Sequence, residues 1–257
     1  LQDSDSDSDI TGNAAVITLS DTVDDGDAVG TATNPLQTSL NSLTVFTSAD
    51  SNDGAQFLEE INGLTALELN AGSALITLTL LNGNLEDSDA ADDILTPEAT
   101  ITLHGSGSFA GTAPSLIHTD VSTLTVPTHD GNQFFRERDG MQSVSMVAGT
   151  AGITLVLSEG ALTDSDADID FAANATTIIL EDANDSGDDV GTDAHFIRTS
   201  VNSLTVNTSA GNNHGRQYLR EVSGLTALNL NAGSSSITLT LSNGSLLDGD
   251  GDLDITA

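Results

Sequence analysis

The sequence predicts an all-β chain wound as a parallel β-solenoid. Three observations favour this fold class: apolar and polar residues alternate, nearly the same segments recur three times, and glycine-containing turns separate them. Alternation at a period of two is typical of strands with one buried face, whereas an amphipathic helix repeats every 3.6 residues. Segments that recur in tandem stack on one another and bury a continuous core.

The repeat is about 80 residues long and covers most of the chain. Leu43, Leu124 and Leu204 occupy one position of a shared Leu-Thr-Val segment, at steps of 81 and 80 residues. Residues 63–72 return almost unchanged at 224–233. The predicted organisation is one continuous array, 1–257, made of three repeats and the end of a preceding one: 11–94, 95–170, 171–257 and 1–10.

Each repeat contains several predicted strands joined by tight turns. In the first copy, Ile76, Leu78 and Leu80 alternate with threonine, and Asn82-Gly83 marks the turn that follows. Strand centres recur at intervals of 23 to 26 residues, which suits three or four solenoid turns in each repeat. A string of antiparallel β-sandwich modules, one for each copy, is the alternative architecture.

The charge and composition exclude several classes of function. The chain carries 39 acidic residues, no lysine and five arginines, which gives a formal net charge of -34. Binding to nucleic acid requires basic groups that displace counterions, so we expect no nucleic-acid partner. No apolar run is long enough to span a bilayer, so we expect no membrane insertion. The absence of cysteine excludes disulfides and thiolate chemistry.

Aspartate-rich turns close each copy and are the predicted metal sites. Carboxylates at alternate loop positions can converge on one hard cation, and Ca²⁺ takes six to eight oxygen ligands. None of these turns has the EF-hand pattern, and the alternative is that they are solvated turns that keep a β-rich surface soluble. The predicted calcium ligands are Asp5, Asp7, Asp9, Asp87, Asp89, Asp164, Asp166, Asp168, Asp248, Asp250 and Asp252.

No catalytic residue is predicted. Glu60, Glu137 and Glu221 recur at one repeat position, and polysaccharide cleavage uses two carboxylates that face one glycosidic bond. Catalytic groups are rarely repeated at equal spacing, whereas structural groups often are, so we assign these glutamates to the framework. A polysaccharide-cleaving enzyme is therefore the least favoured class.

Several segments resemble the repeats of filamentous-haemagglutinin-like bacterial exoproteins. The segments are 29–36 (VGTATNPL), 38–45 (TSLNSLTV) and 71–80 (AGSALITLTL), with an aspartate-rich turn before Ile-Thr. The resemblance extends over nearly all of the chain. It implies a right-handed parallel β-helix and a place in a large secreted or surface-attached protein, many of which are adhesins.

The expected function is structural. We expect a section of a bacterial fibre, filament or adhesin stalk, outside the cell or at its surface, that associates end to end or with neighbouring repeats and is stabilised by calcium. The alternative is a glycan-binding adhesin module that uses its variable loops, 47–55, 104–115 and 209–216. Four Asn-X-Ser/Thr triplets are candidate glycosylation positions, although a chain so rich in serine and threonine contains several by chance: Asn174, Asn184, Asn207 and Asn243.

Overall fold

A computed structural model gives the structure of the chain and describes residues 1, 7–20, 26–49, 53–128, 130–182, 187–247, 249, 251 and 253–257. The chain forms two compact units, Leu1–Phe134 and Phe135–Ala257. Every helix or strand element in these residues is a strand, and the strands pair in parallel as stacked coils. The predicted parallel β-solenoid is confirmed, and the parallel pairing excludes the antiparallel sandwich alternative.

The first unit contains two stacks of strands. Its strands are β1 (Ile10–Thr11), β2 (Ala14–Ser20), β3 (Leu36–Ser39), β4 (Ser42–Ala49), β5 (Gln56–Glu60), β6 (Ala66–Asn70), β7 (Ile76–Leu80), β8 (Ile94–Leu95), β9 (Glu98–Leu103), β10 (Ile117–Asp120) and β11 (Thr123–Pro127). Odd-numbered strands pair with the next odd-numbered strand, and even-numbered strands with the next even-numbered one. We call these the odd stack and the even stack.

The second unit repeats this arrangement after β12 (Gln133–Glu137), which contains the division between the units. Its strands are β13 (Ser143–Val147), β14 (Gly152–Leu157), β15 (Phe171–Leu180), β16 (Ile197–Asn207), β17 (Gln217–Glu221), β18 (Ala227–Asn231), β19 (Ile237–Leu241) and β20 (Ile255–Thr256). The long strands β15 and β16 belong to both stacks. In this unit, the first halves of both long strands form one stack with β13, β17 and β19. Their second halves form the other stack with β14, β18 and β20.

The core of the first unit is built from apolar residues stacked in register. Leu36, Leu58, Leu78 and Ile101 lie on one another through successive turns of the odd stack, and all four are buried. Their strand neighbours lie on the outward face and are polar except Phe57, as alternation at period two requires. Complete burial of one such side chain contributes about 1.5 to 3 kcal/mol, so each added turn stabilises its neighbours.

The sequence repeat and the solenoid turn do not coincide. Residues that pair in adjacent turns are separated by 20 positions at Gln56 and Ile76 and by 28 at Ile10 and Thr38. The equivalent segments β4 and β11 are seven strands apart, so β4 lies in the even stack and β11 in the odd stack. One repeat therefore occupies three and a half turns, and a feature present once per repeat changes stack in the next copy.

Candidate metal centre

The aspartate-rich turn between β7 and β8 gathers three carboxylates, and we call it the first acidic corner. One oxygen each of Asp87, Asp89 and Asp93 lies within 4.8 Å of the others. Asp87 and Asp93 are buried, while Asp89 is exposed at the surface. Two carboxylates are thus enclosed by protein, and the third is exposed to solvent.

The second acidic corner lies between β14 and β15 and has the same arrangement. One oxygen each of Asp164, Asp166 and Asp170 lies within 4.8 Å of the others, and again the outer two residues of the motif are buried while the middle one is exposed. The arrangement therefore recurs in separate units and in separate repeats.

Short hydrogen bonds within each loop explain why the sequence folds in this way. The backbone N–H of Asp89 donates to the Asp87 carboxylate at 3.0 Å, and that of Ala91 donates to Asp89 at 2.7 Å. Asp166 and Asp168 repeat these two bonds at 2.9 and 2.7 Å. An aspartate that accepts a bond from the backbone two residues later forms an Asx turn, and consecutive Asx turns curl the loop around its carboxylates.

The last aspartate of each corner ties three successive turns together. The Asp93 carbonyl accepts the Leu69 N–H of β6 at 2.7 Å, and its carboxylate accepts the His118 N–H of β10 at 2.7 Å. Asp170 makes the same bonds with Met146 and Arg198, each at 2.7 Å. These aspartates therefore hold the sheet in register at the point where the chain turns the corner.

Burial raises the pKa of the last aspartate in both corners. The pKa of Asp93 rises from 3.8 to about 8, because burial disfavours its charge and because Asp87 and Asp89 are close; the His118 N–H opposes the rise. The pKa of Asp170 rises to about 7 for the same reasons. The Arg198 guanidinium lowers the pKa of Asp170 and donates to the Ala167 carbonyl at 2.7 Å.

The residues of the corners fit a hard divalent cation. Ca²⁺ lies 2.3 to 2.6 Å from its ligands, so two oxygens up to about 5 Å apart can share one ion. In the second corner, the buried Oδ1 atom of Asp164 has no hydrogen-bond partner. A buried carboxylate oxygen without a donor is costly unless a cation or a proton compensates it. The three carboxylates of each corner are oxygen ligands of the kind that calcium takes.

The structure brings together some of the predicted calcium ligands and not others. Asp168 lies outside the second corner, since it is exposed and Asp170 takes the third place. Asp7 is exposed, and the exposed Asp9 accepts the Gln37 N–H at 2.8 Å. The predicted ligands found in the two corners are Asp87, Asp89, Asp164 and Asp166. The predicted ligands outside the described residues are Asp5, Asp248, Asp250 and Asp252.

Sequence reasoning missed the buried aspartate that completes each corner. The signal that could have found Asp93 and Asp170 is the spacing Asp-X-Asp-X-X-X-Asp, followed by isoleucine or phenylalanine. It occurs four times in the sequence, at 3/5/9, 87/89/93, 164/166/170 and 248/250/254. The alternation of aspartates predicted Asp168 as a ligand instead, but Asp168 is exposed to solvent.

The recurring glutamates Glu60, Glu137 and Glu221 are all fully buried. Glu60 has no exposed surface, and its carboxylate accepts the Thr38 hydroxyl at 2.6 Å and the backbone N–H groups of Leu40 and Asn62 at 3.1 and 3.0 Å. Glu221 is equally buried and accepts the Thr199 hydroxyl at 2.6 Å. Because protein donors surround these carboxylates and solvent does not reach them, the arrangement supports the framework interpretation.

Comparison with known proteins gives no relative, since no protein-family model, no curated protein and no solved structure matches the chain. In the part of the chain that the structure describes, none of the elements is a helix with the length and apolarity needed to cross a membrane.

Proposed function

We propose that the chain is a non-enzymatic structural section of a secreted or surface-attached bacterial protein, a fibre or adhesin stalk of the filamentous-haemagglutinin-like kind. Its stacked turns associate end to end with further repeats, and calcium at the acidic corners stabilises the stacking. The observation that carries this proposal is the last aspartate of each corner, which bonds three successive turns while it is buried beside two further carboxylates.

Calcium has a mechanical role in this proposal. A cation bound by Asp87, Asp89 and Asp93 neutralises a buried cluster that otherwise repels itself, and so strengthens the contact of β8 with β6 and β10. Loop sites of extracellular proteins bind calcium at about 0.1 to 1 mM, which is a concentration range found outside cells. The proposed site therefore agrees with the proposed extracellular location.

The charge of the chain supports the same role. A net charge of -34 makes lateral contact between copies unfavourable at moderate salt, because like-charged surfaces repel one another. Backbone pairing at a strand edge is short-ranged and neutral, so it is weakened far less. Growth along the stacking axis is thereby favoured over clumping.

The experiment is thermal unfolding of the purified protein at pH 7.5 with chelator, with millimolar Ca²⁺ and with the same concentration of Mg²⁺. We expect Ca²⁺ to raise the midpoint by several degrees and Mg²⁺ to raise it less, since Mg²⁺ dehydrates reluctantly and prefers a stricter geometry. Electron microscopy of the same samples should show filaments in calcium without any added ligand.

The matched control separates the corners from general screening of acidic charge. The double variant Asp93→Asn/Asp170→Asn should lose most of the calcium response, whereas Asp92→Asn/Asp168→Asn, which also replaces two aspartates of the same loops by asparagine, should keep it. An equal response of both variants would show that calcium acts by screening, and the proposed metal role would be abandoned.

A further inference from the structure

The few arginines of the chain are concentrated in one region. All five lie between residues 136 and 220, and there is no lysine. Arg198 of β16 and Arg220 of β17 are paired in register on adjacent turns of the second unit, and Arg216 directly precedes β17. Arg198 and Arg220 are half-buried, and Arg216 is exposed. Positive charge is therefore gathered at one place on a chain whose net charge is -34.

Two aromatic rings lie beside these arginines. The centroids of the Phe196 and Tyr218 rings are 6.0 Å apart, and the rings are nearly perpendicular, at 84°. The Arg220 guanidinium lies over the Phe196 ring at 5.2 Å from its centroid, and the Arg216 guanidinium lies over the Tyr218 ring at 6.0 Å. Both rings are half-buried, so part of each is open to solvent. We call Phe196, Arg198, Arg216, Tyr218 and Arg220 the basic patch.

Arg220 lacks the protein partners that the other two arginines of the basic patch have. The Nη2 and Nε atoms of Arg216 lie 3.1 and 3.2 Å from the Asp189 carboxylate, and Arg198 donates to the Ala167 carbonyl at 2.7 Å. Among the described residues, no oxygen accepts a hydrogen bond from the Arg220 guanidinium, and its buried Nε–H has no partner. A buried donor without an acceptor costs free energy, and a charged donor costs more.

The equivalent position has a protein partner in the other two repeats. In the first repeat, Glu59 is paired in register with Gln37 and accepts a hydrogen bond from its side chain at 2.9 Å. In the second repeat, Arg136 lies 3.0 Å from the Glu181 carboxylate. In the third repeat, Arg220 is instead paired with another arginine, and like charges on paired strands repel each other. The framework therefore does not explain this pair.

We propose that the basic patch is a binding site for a carboxylated sugar. The carboxylate of the sugar binds between Arg198 and Arg220, and its ring packs on the exposed parts of Phe196 and Tyr218. A guanidinium presents its N–H groups in a planar fork that matches a carboxylate, and the aromatic rings supply apolar contact area. The site lies on a strand face, and it depends neither on calcium nor on end-to-end association.

The size of the basic patch and the strands beneath it favour a sugar over a protein partner. A stable protein interface takes about 800 Å² of each partner, from about 20 to 30 residues, whereas the basic patch consists of five. An extended peptide binds by adding a strand to a free sheet edge. At the basic patch, β16 is paired with β15 and β17, and β17 is paired with β16 and β19, so both strands are already paired on either side.

The acidity of the chain favours a ligand with one negative charge. The chain carries 39 acidic residues, and Asp189 already occupies Arg216. The further charges of a polyanion would be repelled by this surface, whereas a single carboxylate gains from short-range contact with the arginine pair. We therefore expect a single uronate residue on an otherwise neutral glycan.

Tyrosine fluorescence provides a direct assay, because Tyr218 is the only tyrosine of the chain and there is no tryptophan. The purified protein is titrated with sodium glucuronate at constant ionic strength, in chelator so that calcium takes no part. We expect a saturable change in tyrosine emission that is half complete at about 1 mM, a dissociation constant that corresponds to a weak single-sugar site. Glucose, which lacks the carboxylate, and sodium sulfate, which lacks the sugar ring, should give no saturable change below about 10 mM.

Three variants test the assignment of the arginine pair. Arg220→Gln should weaken glucuronate binding by at least about tenfold, because it removes the guanidinium that has no protein partner. Arg220→Lys keeps the charge but lacks the planar fork, so it should weaken binding by about threefold or more. The matched control is Arg138→Gln, which removes one arginine from an exposed position of the same unit and should bind like the parent. Circular dichroism and the unfolding midpoint confirm that each variant is folded.

Each contrary outcome removes a particular part of this inference. Equal binding of glucose would overturn the role of the carboxylate, and equal binding of sulfate would show a general anion site and overturn the sugar. Tighter binding of an aspartate-rich peptide than of glucuronate would identify a protein partner instead. Absence of any saturable change, or equal binding by the parent and Arg220→Gln, overturns the site. The calcium response of the acidic corners is measured separately and stands or falls independently.

Discussion

The raised pKa values of Asp93 and Asp170 predict that the calcium-free protein loses stability as the pH rises from about 4 to 8. Both groups ionise near 3.8 in the unfolded chain, but in the folded protein they hold a proton up to about pH 8 and about pH 7. A group whose pKa is raised by folding stabilises the fold fully below its unfolded pKa. That contribution is lost as the pH rises through the folded value.

The size of the effect follows from the two shifts. Each pH unit within this window removes about 1.4 kcal/mol of unfolding free energy for each group. Between pH 5 and pH 7 both groups act, so the expected loss is up to about 5 kcal/mol, a large part of the stability of an ordinary domain. Above about pH 8 the two contributions are exhausted and the slope should flatten.

Calcium should reverse this dependence, because the ion replaces the proton at each corner. Binding at pH 5 should release about one proton per corner, and binding at pH 9 should release none.

The assay is urea unfolding at pH 5, 6, 7 and 8 in chelator at a constant ionic strength of about 0.15 M, where the Debye length is about 8 Å. The reference is Asp93→Asn/Asp170→Asn, which retains nearly all of the net charge but cannot take up the two protons. The reasoning is refuted if the variant and the parent protein lose stability with the same slope.

Three further predictions concern the framework. Glu221→Ala should lower the unfolding free energy by at least about 3 kcal/mol in urea titrations, because it orphans buried donors that include the Thr199 hydroxyl; a loss below 1 kcal/mol would mean that water replaces the carboxylate. Gly191→Ala should lower the unfolding midpoint clearly more than Gly187→Ala. Both glycines have a positive φ, but a Cβ at Gly191 would lie 2.5 Å from the Tyr218 carbonyl oxygen, whereas a Cβ at Gly187 would have no atom within 4 Å. Similar midpoints for the two variants would contradict the close approach at Gly191. Leu78→Ala should lower the unfolding free energy by about 2 to 5 kcal/mol, and Leu239→Ala should lower it much less at low protein concentration. The reason is that Leu78 is fully buried, whereas Leu239 is half-buried. Equal losses for the two variants in dilute monomer would contradict this difference in burial.

The parallel solenoid could be predicted from sequence because its stabilising contacts repeat along the chain. Ile76, Leu78 and Leu80 alternate with threonine, and the same alternation recurs at the strands that pair with them. Such a pattern has one face to bury, and stacking like on like buries it at every turn. The acidic corners were located for a similar reason, since an aspartate-rich turn closes each copy.

The composition of each corner could not be predicted from the alternation of aspartates alone. Asp168 and Asp170 each follow another aspartate by two positions, so the alternation of aspartates does not distinguish a buried ligand from an exposed one. The difference arises because the Arg198 N–H of the following turn binds the Asp170 carboxylate, while the Asx turn leaves Asp168 in solvent. That bond joins residues 28 positions apart, so it depends on how many residues the intervening turn contains.

The amino-acid order by itself determined that this protein is all-β, repeated and rich in acidic turns, because these properties depend on side-chain character at neighbouring positions. Only the tertiary structure decided that each repeat takes three and a half turns and that Asp93 and Asp170 complete the acidic corners. Those properties depend on which residues become corners and which extend a strand, as β15 and β16 do through both stacks. Contacts between successive turns determine which residues form a corner and which extend a strand.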